Sequence, residues 1–574
     1  MMKLKYRLEI KNPENHIVDI TIWGERTQNE DSLTFFLPVW SPGSYLVREY
    51  SRHIRSFRAT NAVGEFYYFE QSSKNTWTID WKKSEFKRES ADFCIHYEVY
   101  CHEISVRTSF VSSQHAFLNG PSLFMGVQDK TMEDIELEIK FPALWSKVST
   151  SLKDISTERE VFLYSAKNYD EFIDTPIEIG CHETDGFMVD KKPHHLAFYG
   201  GVYPNSRNLK QDIQKVVEYI SKVMGGTPYE QYQFITHFLP NQYGGLEHHN
   251  SCVLHYDGRR LESRKEYLQW ISLVAHEYFH TWNIKRIRPK ELGPFDYNNE
   301  NYTSMLWLAE GLTNFVDDFF IYASGLSTLE EYVEIVKDNL VRYLGTPGRK
   351  FHSLEASSFN AWIKLYRPDE NSNNSSVSYY LKGGLVFSIL HIELVQKKLG
   401  IKDFIMALWD RYLANPKVGV TTEEVLAIIK KLAGSETAEF FQHMLVTTDE
   451  IDFEKYYKKI GLKFIWEQPN TPYLGANFDH QGDRVFIQSV KLDSPAHKSG
   501  LNAGDEILAI NGLRFLKKDS SDLEKVLLVN KPYQFLISRL GEIISQEVIL
   551  TETPKRLKAL EIADRKQVEA AFKI

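Results

Sequence analysis

The spacing of apolar side chains divides the chain into three textures. Along the first 165 or so residues apolar and polar positions alternate. From Phe93 to Val99 the odd positions are Phe, Ile, Tyr and Val, and the even ones include His96 and Glu98, the period of two of a half-buried strand. The apolar phase then moves to Ile104 and Val106, which predicts a bulge near Cys101 to Glu103. Turn clusters such as Asn12-Pro13-Glu14-Asn15 and Ser41-Pro42-Gly43 separate similar runs, and the whole predicts a β-sandwich.

Near residue 165 the period lengthens. Ile213, Val216, Val217, Ile220 and Val223 share one side of a helix over 208–223. Further helices are predicted at 266–285, 305–323, 327–343, 378–398, 402–413 and 422–432, with Gly325 and Gly400 placed to close 305–323 and 378–398. Short strand-like runs return at Arg484 to Val490, Glu506 to Ile510 and Tyr533 to Ser538, with Asn511-Gly512 as a turn. The last 20 residues are charged, with weak amphipathicity, and are predicted helical. The expected fold is multidomain α+β: a β domain over 1–165, a mostly helical domain with a few strands near its start over 166–455, a small β domain over 456–553 and a helical tail over 554–574.

Composition changes this picture little. A chain of 574 residues accommodates three to four domains at about 150 residues each. With 68 basic and 77 acidic residues the net charge is −9, which gives no electrostatic case for nucleic acid or an anionic membrane as partner. Aromatic residues make up 13%, which suits strands and large cores. Four cysteines occur without a CxxC pair. Cys94 and Cys101 would lie about 23 Å apart on a straight strand, too far for a bridge. Few thiols, no apolar leader in MMKLKYRLEIKNPENH and no apolar run near membrane-spanning length lead to the expectation of a soluble cytoplasmic protein.

The sharpest chemistry lies in His276-Glu277-Tyr278-Phe279-His280. On a helix the two histidines stack one turn apart and can share one tetrahedral Zn²⁺. Glu277, rotated about 100° away, can address a metal-bound water without being a ligand. Thirty residues after His280, Glu310 interrupts the apolar stretch LWLAEGLTNF; a carboxylate there is costly unless paired or metal-bound. Glu310 is therefore the expected third ligand, and Asn314, one turn on, either supports it or is an ordinary polar helix position.

This spacing resembles the gluzincin metallopeptidases, and further matches narrow the resemblance. Gly244-Gly245-Leu246-Glu247-His248 is similar to the GxMEN-type aminopeptidase strand, with Leu246 for Met and His248 for Asn. Tyr380-Leu381-Lys382-Gly383 resembles the Tyr-x-Lys-Gly segment, with Tyr379 one residue away as a competitor. Val39-Trp40-Ser41-Pro42-Gly43-Ser44-Tyr45, the run Tyr169-Asp170-Glu171-Phe172-Ile173-Asp174-Thr175-Pro176 and HEYFHTWNIKRIRP resemble the M61 glycyl aminopeptidase family. Residues 485–512, with Ser494-Pro495-Ala496, Gly500-Leu501, Gly504-Asp505 and Asn511-Gly512, look like a PDZ domain of the bacterial protease type.

The resemblance implies a thermolysin-like catalytic domain that binds Zn²⁺ through His276, His280 and Glu310, with Glu277 as general base and Tyr380 as oxyanion donor. It implies that Glu247 holds the substrate α-ammonium while Gly244 and Gly245 align the peptide, and that the first residue removed is Gly or Ala. Tyr473-Leu474-Gly475-Ala476 would be a carboxylate-binding loop for a peptide or protein C-terminus. Competing readings are a zinc endopeptidase, an epoxide-hydrolase-like enzyme on the same metal, and an inactive peptide-binding scaffold. His248, His249 and His255 are read as packed or solvated, and Lys285, Arg286 and Arg288 as a solvated or salt-bridged face.

Overall fold

The computed structural model describes residues 2–27, 30–84, 91–158, 161–201, 208–520, 523 and 527–573. Two compact units emerge: Met1–Tyr302 with Ala323–Leu326 and Trp409–Val420, and Thr303–Tyr322 with Ser327–Leu408 and Thr421–Ile574.

The first unit begins with a β-sandwich. A seven-stranded sheet has Leu4–Glu9, Ile17–Glu25 and Asp92–Tyr100 at its centre. It shares one core with a four-stranded sheet built on Ser32–Phe36 and Thr76–Asp80. Asp92–Tyr100 buries Phe93, Ile95, Tyr97 and Val99, as its alternation predicts. The expected bulge is absent: the strand ends at Tyr100 and the chain turns, rejoining the fold as Cys101 N–H donates to His16 and Val111 N–H donates to Cys101. The shift of apolar phase is a chain reversal, which periodicity alone reads as an inserted residue.

Within the same unit a five-stranded sheet follows, in the spatial order Glu183–Val189, Lys192–Tyr199, Tyr232–Phe238, Ser251–Tyr256, Tyr243–Glu247. Tyr232–Phe238 and Ser251–Tyr256 are buried throughout, as expected of parallel strands covered on both faces. Both edge strands, Glu183–Val189 and Tyr243–Glu247, are antiparallel to their neighbours. Helix Leu209–Val223 buries its predicted stripe and is capped by Asn208, whose side chain accepts from Gln211 N–H. Helix Arg264–Phe279 is buried almost all round after Glu266. It stops before 285 because the chain folds back: Lys285 N–H donates to His280, Ile287 N–H donates to Trp282, and Ile284 takes φ +110°.

In the second unit the predicted helix over 305–323 is two pieces, a π-helical turn at Trp307–Gly311 and an α-helix at Leu312–Ala323. Glu310 lies in the π turn, a distortion that often marks functional sites. Helix Tyr379–Gln396 crosses it at two glycines. A Cβ on Gly311 would stand 2.7 Å from the Gly383 Cα and 3.0 Å from the Tyr379 carbonyl, so both positions need a residue without one. Gly325 takes a left-handed conformation at φ +78°, as a helix-closing glycine should, whereas after Tyr379–Gln396 Lys398 adopts it at φ +61° in place of Gly400.

The C-terminal β module has the sheet order Ala476–Gln481, Arg484–Val490, Glu506–Ile510, Pro532–Arg539, Glu542–Ile549, around Leu474, Val485, Ile507 and Phe535. The tail over 554–574 is not simply helical. Arg556–Ile562 is a strand antiparallel to Leu462–Glu467, and only Arg565–Ala571 is helix. Leu557 and Leu560 are buried and Arg556 pairs with Glu467. That partner lies some ninety residues upstream, out of reach of a local pattern. Among the described residues no helix is long and apolar enough to cross a membrane.

Candidate active site

His276 and His280 leave the buried end of helix Arg264–Phe279, their rings 4.6 Å apart and nearly perpendicular. His280 Nδ1 lies 2.8 Å from the Asn283 carbonyl. A carbonyl only accepts, so Nδ1 carries a proton, and Nε2 is the ring nitrogen that can serve as a metal ligand. One donor atom each from Glu247, Glu277 and His280 lie within 4.8 Å of one another, and all three residues are buried. Two carboxylates beside an imidazole suit positive charge, whether a divalent cation or an ammonium group.

Two glycines make room for these carboxylates. A Cβ on Gly245 would stand 1.9 Å from Glu277 Oε1, and one on Gly43 would stand 2.4 Å from Glu247 Oε1. Gly43 also has φ +87°. The motif Val39 to Tyr45 thus meets the edge strand at Glu247. A cavity of about 370 Å³ beside Glu247 is lined by Trp40, Gly43, Asp174 and Lys285, among others, so three of the sequence motifs converge on it.

Around the cavity the polar groups are paired. Lys285 Nζ donates to Asp174 at 2.9 Å, and His248 Nδ1 is 3.1 Å from the same oxygen. Burial alone would raise the Asp174 carboxyl, but Lys285 and His248 outweigh it and hold it well below the ordinary carboxylate range. Arg286 is buried and donates to the carbonyls of Thr281, Pro228 and His249; burial lowers its pKa to about 10. The basic run is salt-bridged at Lys285, as expected, and is buried at Arg286 and half-buried at Arg288.

In the second unit, Glu310 is buried in the π turn, beside the start of helix Tyr379–Gln396. Tyr379 is fully buried, while Tyr380 is half-buried. Lys382 Nζ donates to the Thr447 carbonyl, and burial lowers its pKa to about 8. Asn314 Nδ2 lies against Gly384.

Family models match three stretches: the Peptidase M61 N-terminal domain over 5–181, the M61 glycyl aminopeptidase over 269–386 and a PDZ domain over 472–536. The two M61 models together span more than half of the chain. The chain belongs to the M61 glycyl aminopeptidase family. As an M61 member it is an enzyme, a metallopeptidase of the aminopeptidase type. Among solved structures it is similar to an aminopeptidase N family protein from Idiomarina loihiensis, 27% identical, with 100% of both chains covered and a TM-score of 0.92. An M1 zinc metallopeptidase from Deinococcus radiodurans, 12% identical over 79% of this chain and 95% of that one, shares the fold at a TM-score of 0.50. No curated protein matches the chain.

Several residues of this M61 chain escaped the sequence reading. Glu178, fully buried, accepts from His115 Nδ1 at 2.7 Å and from His237 Nε2 at 2.9 Å, and His237 Nδ1 is 2.9 Å from His255 Nε2. His255 pairs in register with Gly244 on the edge strand, so the reading of His255 as packed is met, but within a polar chain. Arg107 donates from Nη2 to the Gly245 carbonyl at 3.2 Å. No local signal announces these contacts, which join residues 59 and 138 positions apart.

Proposed function

We propose that this enzyme is a zinc aminopeptidase that releases the N-terminal residue, Gly or Ala, from peptides. The observation that carries the reading is the convergence of Glu247, Glu277 and His280 beside an edge strand. We assign His276, His280 and Glu310 as the ligands; Zn²⁺ held there supplies a Lewis acid and brings the pKa of a bound water toward neutrality.

The remaining work falls to side chains. Glu247 pairs with the α-ammonium of the substrate and so restricts cleavage to the first peptide bond. Gly244 and Gly245, which carry no side chains, align the peptide, and it lies extended against the open backbone groups of the edge strand. Glu277 accepts a proton from the attacking water and returns it to the departing amine. Tyr380 donates to the oxyanion that develops on the former carbonyl. Its partial exposure favours it over Tyr379, whose ring is fully buried. The preference for Gly follows the family's description as glycyl aminopeptidase, and Ala is the next smallest side chain.

At the PDZ domain the proposed ligand is a peptide or protein C-terminus. Gly475 has φ +76°, and the Leu474 and Gly475 carbonyls accept from Ala496 and Lys491, which fixes the loop. Strand Ala476–Gln481 is an edge of that sheet and can take an added strand.

A panel of free and N-acetylated X-Ala-Ala peptides, with and without chelator, tests the catalytic reading. Chelator-sensitive release of X from free peptides alone is expected. Cleavage of the acetylated peptides at a comparable rate would overturn the amine-anchor role of Glu247.

A further inference from the structure

We propose that Arg107 binds the C-terminal carboxylate of short substrates, so that the enzyme acts preferentially on peptides of two or three residues. This rests on the aminopeptidase reading and adds the substrate class.

Strand Tyr243–Glu247 is paired on one side only. Its Gly245 carbonyl accepts from Arg107 Nη2 and thus faces the open side, together with that of Glu247 two residues on. A peptide added there with its amine at Glu247 runs antiparallel to the strand, so its third residue comes opposite Gly245 and a fifth would come opposite Tyr243. Two strand residues span about 7 Å, close to the distance from amine to carboxylate in an extended dipeptide. Arg107 therefore stands where the chain of a short substrate ends.

The arginine is held in place from behind. Its backbone carbonyl accepts from Tyr50 Oη and Asn119 Nδ2, both at 2.8 Å. Ser41 Oγ joins these two donors, at 2.8 Å from Tyr50 Oη and 3.1 Å from Asn119 Nδ2. Ser41, Tyr50 and Asn119 are each no more than 2% exposed. The motif Val39 to Tyr45 thus serves both ends of the substrate: Gly43 leaves room for the Glu247 carboxylate and Ser41 braces Arg107.

The charge is uncompensated. Among the described residues Arg107 has no carboxylate partner, its buried Nε has no hydrogen bond, and Nη1 makes none. A half-buried guanidinium without a counter-ion is costly, and its two Nη groups present an edge that a carboxylate can bridge. An extended or amidated peptide would leave that position unmet.

The experiment compares Ala-Ala and Ala-Ala-Ala with their C-terminal amides on the metal-loaded full chain, in wild type, Arg107→Met and Arg107→Lys. Wild type should favour the acids by roughly ten- to a hundredfold in kcat/KM, mainly through KM. The acid-to-amide ratio should fall to about one in Arg107→Met and recover in part in Arg107→Lys. Equal handling of acid and amide by wild type, or an unchanged ratio in Arg107→Met, overturns the proposal; the latter means that Arg107 only braces the strand. Calorimetric binding of the same acid and amide pairs to Glu277→Gln reads the ratio without turnover. If wild type hydrolyses none of the peptides, the aminopeptidase reading fails, and the calorimetric ratio still decides the role of Arg107.

Discussion

Gly245→Ala is the most direct probe of the carboxylate cluster. The backbone of Gly245 is not in the left-handed region, so alanine meets no conformational obstacle there. Its Cβ would fall 1.9 Å from Glu277 Oε1, 2.3 Å from Cδ and 2.6 Å from Cγ. Ordinary contact begins at 3.4 Å, so the carboxylate must retreat by about 1.5 Å. A misplacement of about 1 Å can cost a hundredfold in rate, and complete loss of a general base costs about 10²–10⁴-fold. The expected loss in kcat/KM lies in that range, about 3–5 kcal/mol at about 1.4 kcal/mol per tenfold. Overpacking at the strand adds about 1–3 kcal/mol of destabilisation, visible as a modest drop in Tm. Steady-state hydrolysis of alanyl p-nitroanilide, thermal unfolding and metal content together make the assay. Metal should be retained, because the imidazoles of His276 and His280 are not the groups displaced. A folded, metal-loaded variant with kcat/KM within about threefold of wild type would refute the role of Glu277 and the steric reasoning together.

Gly43→Ala combines a left-handed φ of +87° with a contact of 2.4 Å to Glu247 Oε1; KM for free-amine substrates should rise by roughly tenfold or more, with a smaller effect on kcat. Tyr380→Phe should lower kcat by roughly 10²-fold or more with little change in KM, whereas Tyr379→Phe should leave kcat near wild type; the opposite outcome reassigns the oxyanion donor. For Glu178, burial alone would raise the carboxyl, but His237 and His115 outweigh it and bring it to about 2. A carboxylate depressed in the folded state contributes stability in full above its ordinary value near 4.5 and loses it as the pH falls toward 2. Glu178→Gln should remove that component of acid unfolding, read by circular dichroism between about pH 5 and 2.

Local periodicity carried much of the fold. Phe93 to Val99 and Ile213 to Val223 show their buried faces directly in the sequence, because the neighbours that matter lie two, three or four residues away. The same locality limits it. The reversal after Tyr100, the π turn around Glu310 and the strand Arg556–Ile562 depend on partners that no short window contains. The HExxH histidines were legible because both proposed ligands sit one turn apart at the end of one helix. The cradle of Gly43 around Glu247 was not, since those positions are some two hundred residues apart. Motif resemblance pointed to both segments without saying that they touch.

The crossing of Gly311 and Gly383 has a practical corollary. Glu310 and Tyr380 are carried on backbones that meet without intervening side chains, so neither can be repositioned alone. For engineering, the proposed ligand and the proposed oxyanion donor form a single cassette. A designer who lengthens, grafts or re-angles one helix inherits the other, and a bulky residue at either glycine would shift both groups at once.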